Sequence, residues 1–552
     1  MHHVIKPKIL NLLSEGYSFK KFLKDLFAGI IVGIITLPMS IAFAIASGAR
    51  PEQGIYTAII AGFLTSLFSG SRVQIGGPTG AFVVLIYGVI QNYGYEGLFV
   101  ATLMAGVILI ILGFIGLGGV MKFIPYPVII GFTSGIAVIL FVSQVRDFLG
   151  LDMEFIPVDF IDKIVSYSSH ILTFDPATVI VGMLAMVIII FWKRISLKIP
   201  GPLVAIIITT LLVKFCGLQI ATIGSHFGDI PTTMPTLAIP KIDWMNINQL
   251  VPSAIAIALL AGIESLLSAT VADGMIGTRH RSNMELIAQG LSNIGSALFG
   301  GLPATGAIAR TATNIKNGGR SPIAGLVSAL VVLALVMFFG SWFSLIPLST
   351  LAAIIIVVAY NMSEWRHFVR LFLSPREDIL VLLITFFLTV FVNLTTALEV
   401  GTILSAFLFI NRLVDTSSAD YLKKSIEEDS YVDDMPIDKF NVDSNIEVFE
   451  INGSFFFAAV ESFKTALGSI NRVPKVLVIR MRNVLIIDAS GIRAIMDLQD
   501  KLKKQGTLLM ISGMHSQSLE LFAKTGLVKM IGEENIFHNI SEALQKADEI
   551  LL

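Results

Sequence analysis

The chain has 552 residues and a formal net charge of −1, and only 14% of its residues are charged while 54% are apolar. Its mean hydropathy is +0.80. Soluble domains carry about 25% charged residues, so this composition excludes an ordinary soluble protein. The balanced charge gives no signal for a nucleic-acid partner, and the single cysteine, Cys216, excludes an internal disulfide framework.

Polar, Lys-rich residues 1–24 are predicted to form a cytoplasmic N-terminal segment, and residues 25–415 a transmembrane transport domain. Crossing a bilayer as a helix takes roughly 20 apolar residues. Two of the apolar segments, 79–91 and 306–316, are too short to cross alone. We predict fourteen spans, near 26–47, 52–69, 79–91, 97–119, 126–146, 177–192, 202–218, 251–273, 284–300, 306–316, 323–341, 346–361, 378–394 and 396–412.

The loop charges predict the orientation. Cations such as Arg72, Arg194 and Arg281 recur in loops that share a side with the Lys-rich N-terminus, whereas the loop at 150–175 is acidic. Cytoplasmic loops carry the excess of Lys and Arg. An even number of spans then places both termini in the cytoplasm, in a multi-pass protein of the inner (plasma) membrane.

The membrane part repeats weakly. Gly77-Pro78-Thr79-Gly80-Ala81 returns as Pro303-Ala304-Thr305-Gly306-Ala307, and two further pairs of segments share an offset of about 220–226 residues. Seven spans per half would insert the second half upside down. Such 7+7 inverted repeats are the architecture of many secondary transporters.

The two short segments open at matching Gly/Pro-rich sequences, Gly76-Gly77-Pro78 and Gly300-Gly301-Leu302-Pro303, which cannot continue a regular helix. In lipid, such backbone is tolerated only beside protein or a polar cavity. We therefore expect two half-helices that begin near the midplane, with their N-termini facing one another. Facing helix N-termini form an anion site. The alternative is a pair of kinks that only pack helices.

Two of the ionisable residues inside predicted spans bear on this site. Arg310 would add positive potential to the anion site, or else reach water or pair with a carboxylate. Glu264 is the only carboxylate between Val251 and Ala272. Removing a carboxyl group from water favours its protonated form, so Glu264 is predicted to couple a proton to the anion. A permanent pair with Arg310 and a Na⁺ ligand are the alternatives.

Other chemistry is not indicated. The sequence has no Walker loop and no Cys/His spacing for a metal. Its Ser, His and Asp residues are scattered. We therefore predict neither an enzyme nor a cofactor or metal.

The membrane part resembles the SulP (sulfate permease) anion transporters in Leu37-Pro38 to Ser47-Gly48, Gly76–Ala81, Ile263–Asp273, Gly300–Asn314 and Gly318–Gly325. The resemblance implies a fourteen-helix fold of core and gate domains, elevator-like motion and a homodimer. It also implies a substrate site. Its residues would be Met39, Phe43, Thr79, Gly80, Ala81, Ser268, Gly306, Ala307, Ile308, Ala309 and Arg310, with Glu264 beside them.

The resemblance also bears on the coupling ion. Sodium-dependent bicarbonate members tend to carry Asp at the position of Glu264, and Ile308 lacks the hydroxyl that their sodium site would use. Both departures favour a proton.

The tail resembles a STAS domain, predicted over 441–552 after a charged linker at 416–440. Val476–Met481 and Leu508–Ser512 are predicted strands, and Ile495, Leu498 and Leu502 share one side of a helix that opens at Asp488-Ala489-Ser490-Gly491. Ser490 is a candidate phosphosite or, alternatively, that helix's N-cap. Regulatory proteins or a nucleotide are the expected partners of this domain.

Taken together, the sequence predicts a proton-coupled secondary transporter of a small anion, with sulfate or bicarbonate first and a C4-dicarboxylate next. A Na⁺-coupled bicarbonate symporter and a passive anion channel or exchanger are alternatives. A nucleobase–cation symporter on the same fold is disfavoured by the STAS-like tail and Arg310.

Overall fold

The computed structural model describes residues 5–119, 125–153, 157, 159–195, 200–237, 247–416, 419–421, 445–456, 460, 463, 474–484 and 486–552. The chain divides into two compact units, Met1–Ile403 and Leu404–Leu552. Each is described by itself.

The first unit is helical. Its first nine helices are α1 Ile9–Glu15, α2 Phe19–Ala46, α3 Pro51–Phe68, α4 Val83–Ile115, α5 Tyr126–Ser143, α6 Val145–Leu149, α7 Phe160–Ser169, α8 Pro176–Ile195 and α9 Gly201–Cys216. The next nine are α10 Ile223–Phe227, α11 Ile247–Ile276, α12 Ser282–Leu298, α13 Ile308–Lys316, α14 Ile323–Phe343, α15 Leu348–Met362, α16 Trp365–Leu371, α17 Arg376–Phe391 and α18 Leu394–Thr416, the last of which runs past the unit boundary. Two short strands, β1 Gly76–Gly77 and β2 Thr305–Gly306, precede α4 and α13.

Every predicted span coincides with helix, and the third and fourth predicted spans form one helical run, α4, that breaks at Gly94 (φ +68°). Six helical segments of the described chain are long and apolar enough to cross a membrane, namely Phe19–Ala46, Gly80–Ile115, Tyr126–Leu149, Ile247–Ile276, Ile323–Phe343 and Leu348–Leu371. Pro176–Trp192, Gly201–Cys216 and Leu394–Phe409 are shorter apolar helices. The count of fourteen spans stays a prediction.

The helices pack in two groups. The core group consists of α2, α3, α4 and α11–α14, and the gate group of α5, α6, α8, α9 and α15–α17, because most helix contacts fall within one group. Helices α2 and α4 of the core group touch α5, α9 and α15 of the gate group. The division agrees with the core and gate domains that the resemblance implies.

Small residues allow this packing. Gly106 of α4 lies against the carbonyl of Gly290 on α12, and Gly290 lies equally close to the carbonyl of Gly106. Any side chain at either position would collide with the other helix. Membrane helices associate closely through small residues because lipid offers no hydrophobic driving force between them.

The second unit contains a five-stranded sheet in the order β3 Ala419–Tyr421, β4 Ile446–Asn452, β5 Val476–Asn483, β6 Leu508–Ser512 and β7 Ile536–Phe537. β3 is antiparallel and the others are parallel. Its described helices are α19 Ala489–Gln505, α20 Ser516–Thr525, α21 Leu527–Ile531 and α22 Ile540–Leu551. The two predicted strands are confirmed, and Ile495, Leu498 and Leu502 are buried on α19 as expected. The predicted linker at 416–440 contains β3, and its other residues beyond Thr416 lie outside the described chain.

Candidate functional site

The two Gly/Pro-rich segments meet. β1 pairs antiparallel with β2, with Gly76 opposite Gly306 and Gly77 opposite Thr305. A 3-10 turn, Gly80–Phe82, follows β1 and leads into α4, while Ala307 is the N-cap of α13. The predicted convergence of the two broken helices is therefore confirmed: α13 begins directly after β2, and α4 follows β1 through the 3-10 turn.

Backbone bonds fix this crossing. The Ala307 N–H donates to the Ile75 carbonyl at 2.8 Å, and the Ile75 N–H donates to the Thr311 hydroxyl at 3.0 Å. Gly77 adopts φ +147°, where a side chain would be strained and would also strike the guanidinium of Arg310. Glycine at position 77 thus lets the strand pass close to a buried cation.

Arg310 lies in the first turn of α13 and is only 2% exposed. Its Nη2 donates to the carbonyl of Pro78, whereas Nε and Nη1 have no hydrogen-bond partner in the described part of the chain. A buried guanidinium without partners is costly, since its donors have lost water and gained nothing. An anion beside the crossing strands would satisfy these donors and neutralise the charge.

Glu264 of α11 is half-buried at the same crossing. Its Oε2 accepts a hydrogen bond from the Thr79 hydroxyl at 2.9 Å. Glu264 and Arg310 attract each other, but no ion pair joins them among the described residues. The permanent pair considered from the sequence is therefore not the arrangement found, and each group stays available to a ligand.

The sequence did not reveal the network behind the site. Glu285 of α12 is fully buried and accepts four hydrogen bonds, from the Ser69 hydroxyl, the Gly70 N–H, the Ser265 hydroxyl and the Gln289 amide. The Ser265 hydroxyl also accepts from Gln74 at 3.0 Å. A Cβ at Gly306 would overlap the Gln74 amide. The sequence did contain a signal for this network, because Glu285 is a carboxylate inside the ninth predicted span.

The remaining predicted residues lie either beside Gly80 or in packed positions. Phe43 and Gly80 lie together, and an added Cβ at Gly80 would be 3.3 Å from the Phe43 ring. The same Cβ would lie 3.0 Å from Met362 Sδ and 3.4 Å from Leu140, two gate-group residues that sequence reasoning missed.

Other candidates differ in exposure. Met39 is half-buried and packs against the apolar core, whereas Ala81 and Ala307 are buried. Ile308 and Ala309 are exposed at the start of α13. The Ser268 hydroxyl is buried and donates to Thr311 at 3.4 Å, so its side chain supports α13 rather than facing open space.

Two further expectations concern capping and metals. Asp488, not Ser490, caps α19, because its Oδ1 accepts the Gly491 N–H at 2.8 Å. The N-cap alternative for Ser490 is thus wrong, and Ser490 is half-buried in the first turn.

No cluster of three or more His, Cys, Asp or Glu that would hold a metal occurs in the described ranges.

Two broken helices whose leading strands pair inside a two-group helical bundle form an architecture typical of membrane transporters. Comparisons give the family. The model of the sulfate permease family matches residues 22–385, and the STAS domain model matches residues 439–543. The chain belongs to the sulfate permease family and is a membrane transporter with a C-terminal STAS domain.

Relatives and solved structures agree. The putative sulfate transporter YvdB of Bacillus subtilis is 40% identical over 96% of this chain and 98% of its own length. The bicarbonate transporter BicA of a Picosynechococcus species is 33% identical over 74% of this chain and 73% of its own. The structure of the murine Slc26a9 anion transporter in its inward-facing state shares the fold, with a TM-score of 0.88, 19% identity, and coverage of 98% of this chain and 94% of that chain.

Proposed function

We propose that this protein carries a small anion across the membrane by secondary active transport, and that the crossing of β1 and β2 is where the anion binds. The observation that carries the proposal is Arg310, a cation that is 2% exposed and whose Nε and Nη1 have no partner in the described chain. An oxyanion accepting from these donors would offset the desolvation of the guanidinium.

Sulfate is the first candidate substrate and bicarbonate the second. A relative with 40% identity over nearly the whole chain is named a putative sulfate transporter, and one with 33% identity is named a bicarbonate transporter. Both ions present oxygen atoms to guanidinium and backbone N–H donors. A small dicarboxylate is the third candidate, because its carboxylates offer the same acceptors.

The proton is the proposed coupling ion, and Glu264 its carrier. Glu264 is half-buried, accepts a hydrogen bond from the Thr79 hydroxyl and from no other group in the described part of the chain, and lies in the field of Arg310. An anion that binds at Arg310 brings negative charge close to this carboxylate and offsets the positive charge of the guanidinium. Anion binding therefore favours proton uptake by Glu264, and the two move together.

The proposed motion is a displacement of the core group along the gate group, as in an elevator. The anion site belongs to the core group, since Thr79, Glu264 and Arg310 lie on α4's leading turn, α11 and α13. Met362 and Leu140 of the gate group lie against Gly80. If the core group slides past these apolar side chains, the anion site moves with it and the contacts among Thr79, Glu264 and Arg310 stay unchanged.

The wider setting is proposed from the loop charges and the family. We place the protein in the inner (plasma) membrane with both termini in the cytoplasm, as a homodimer. The STAS domain would receive regulatory proteins or a nucleotide, and Ser490, half-buried in the first turn of α19, is its candidate phosphosite.

The direct test is uptake into proteoliposomes that contain the purified protein. Labelled sulfate, bicarbonate, chloride, fumarate and succinate are offered with and without an inward proton gradient. We expect sulfate or bicarbonate to accumulate, faster when the outside is acidic, and accumulation to collapse with a protonophore. Uptake that is equally fast with and without the proton gradient would exclude proton coupling. Continuous single-channel currents would support a passive channel instead.

A further inference from the structure

A cavity opens beside the N-terminal segment, at the N-terminal end of α2. Its volume is about 200 Å³, many times what one water molecule needs. The N-terminal segment forms one wall, and the loops at 69–72 and 317–322 face it. Contacts hold this segment in place, because the Lys8 N–H donates to the Ser69 carbonyl at 3.0 Å and the Arg281 guanidinium donates to the Lys6 carbonyl at 2.6 Å.

The walls of the cavity are strongly basic. Five cationic side chains line it, contributed by three separate parts of the chain: Lys8, Lys21, Lys24, Arg72 and Arg320. Lys21 and Lys24 are exposed, and both lie near the N-terminus of α2, whose free N–H groups add positive potential.

Among the described side chains that line the cavity, Asp25 is the one carboxylate, and it is engaged in the wall itself. Its oxygens accept from the Tyr17 hydroxyl at 2.6 Å, the Ser321 hydroxyl at 2.5 Å and the backbone N–H groups of Arg320 and Ser321 at 2.7 and 3.2 Å. Asp25 is 1% exposed. It therefore fixes the loop after α13 to α2, while the charges that reach the cavity are positive.

The cavity is separate from the transport site. Arg310 lies in the first turn of α13, and six residues of that helix, about 9 Å, separate it from Lys316, beyond which Gly318 and Arg320 line the cavity. An anion in transit at Arg310 would not occupy this cavity. Arg320 also donates from Nη1 to the Ile315 and Gly319 carbonyls at 2.8 and 2.7 Å. The positive charge of two guanidinium groups and three ammonium groups around one space suits a phosphoryl group, which offers several strong acceptor oxygens and close to two charges.

We propose that this cavity binds a phosphoryl group, carried either by an anionic phospholipid or by a soluble phosphate ester. The ligand bridges the N-terminal segment to the loops at 69–72 and 317–322. One of these loops leads into β1 and the other follows α13. The bound ligand therefore holds in place the two segments that adjoin the crossing strands. The site regulates or stabilises the core group and is not on the path of the transported anion.

Ligand-dependent thermal unfolding of the full-length protein tests the proposal. In the soluble arm, inorganic pyrophosphate is titrated into protein in a neutral detergent. In the lipid arm, the protein is placed in nanodiscs of phosphatidylcholine with or without phosphatidic acid. We expect one arm or both to raise the unfolding midpoint. The arm that responds identifies the source of the phosphoryl group, and no response in either arm overturns the proposal.

The variant that tests the site is Lys21→Gln/Lys24→Gln, and its matched control is Lys20→Gln, an exposed lysine of the same helix that does not line the cavity. Each basic residue beside a phosphoryl group contributes about fivefold in affinity, so the double variant should bind roughly thirtyfold more weakly. If Lys20→Gln weakens ligand binding as much as the double variant does, the effect comes from general surface charge, and the proposed site is wrong.

Sulfate serves as the internal reference. The midpoint shift that sulfate causes through the proposed transport site should survive in Lys21→Gln/Lys24→Gln, which shows that the variant is folded. If sulfate causes no shift in any variant while pyrophosphate or phosphatidic acid does, the transport-site proposal is at fault and the phosphoryl site stands.

Discussion

Arg310 combines deep burial with two guanidinium nitrogens that have no partner in the described chain. Replacing it by glutamine removes the charge while keeping a polar side chain. We expect sulfate binding to weaken by roughly tenfold to a hundredfold, the value of hydrogen bonds to a charged group. The unliganded variant should unfold at the same temperature or higher, because an uncompensated buried cation is lost.

Sulfate-dependent thermal unfolding measures both quantities for Arg310→Gln. Arg376→Gln, at the exposed start of α17, is the matched control and should bind sulfate normally. Unchanged sulfate affinity in Arg310→Gln would remove Arg310 from the anion site.

Glu264 offers a second test at the scale of a residue. In Glu264→Gln the amide oxygen still accepts from the Thr79 hydroxyl, so the local structure should persist. The amide takes up no proton in the transport cycle. We expect the variant to bind sulfate normally and to lose the acceleration by an inward proton gradient. Full proton-driven uptake in this variant would contradict the role of Glu264, and Glu377→Gln, in the exposed first turn of α17, is the control.

Sequence reasoning reached these two residues because an ionisable side chain inside an apolar span stands out. It could not reach Met362 or Leu140, which lie against Gly80. Apolar residues in apolar spans carry no local signal, and only the packing of the gate group on the core group distinguishes them. Whether Arg310 and Glu264 form an ion pair also depended on tertiary geometry.

At the scale of elements, Glu285 holds the turn after α3, helix α11 and helix α12 together through its four hydrogen bonds. Glu285→Ala would leave four donors at least partly unsatisfied, each at a cost of about 1–3 kcal/mol. We expect a loss of at least about 3 kcal/mol in the free energy of unfolding.

The measurement for Glu285→Ala is thermal or denaturant unfolding in detergent. Glu377→Ala, in the exposed first turn of α17, should change stability far less. Wild-type stability in Glu285→Ala would show that the network is not structural. Because Glu285 bonds Ser265 beside Glu264, a weaker transport activity is expected to accompany the lost stability.

Hydropathy located the helices well, since every predicted span coincides with helix. It also located one joint, because the gap between the third and fourth predicted spans contains Gly94, whose positive φ breaks the helical run of α4. The crossing of β1 with β2 was anticipated from two matching Gly/Pro-rich segments, although their strand pairing and register required the tertiary structure.

At the scale of the whole molecule, the packing of helices in two groups makes the core–gate boundary the place where motion would be seen. The resemblance to a known family implied this division. Periodicity alone could not have assigned a helix to one group, because the helices are apolar on most faces and their partners are separated by more than 200 residues, as Gly29 is from Val327.

A covalent link across that boundary tests the elevator motion. In a Cys216→Ser background, Gly80→Cys/Met362→Cys places one thiol in each group, where an added Cβ at position 80 would lie 3.0 Å from Met362 Sδ. A short bifunctional thiol reagent with a reducible linkage should join them. We expect the linked protein to stop taking up sulfate, and a reductant to restore uptake.

The matched control keeps both thiols inside the gate group. Gly131→Cys/Thr385→Cys joins α5 to α17, where an added Cβ at position 131 would lie 3.2 Å from the Thr385 Cβ. Because an elevator moves each group as a body, this link should leave uptake intact. If the Gly80–Met362 link is complete and uptake continues at the unlinked rate, the core group does not slide past the gate group, and the anion must cross a site whose two sides stay fixed.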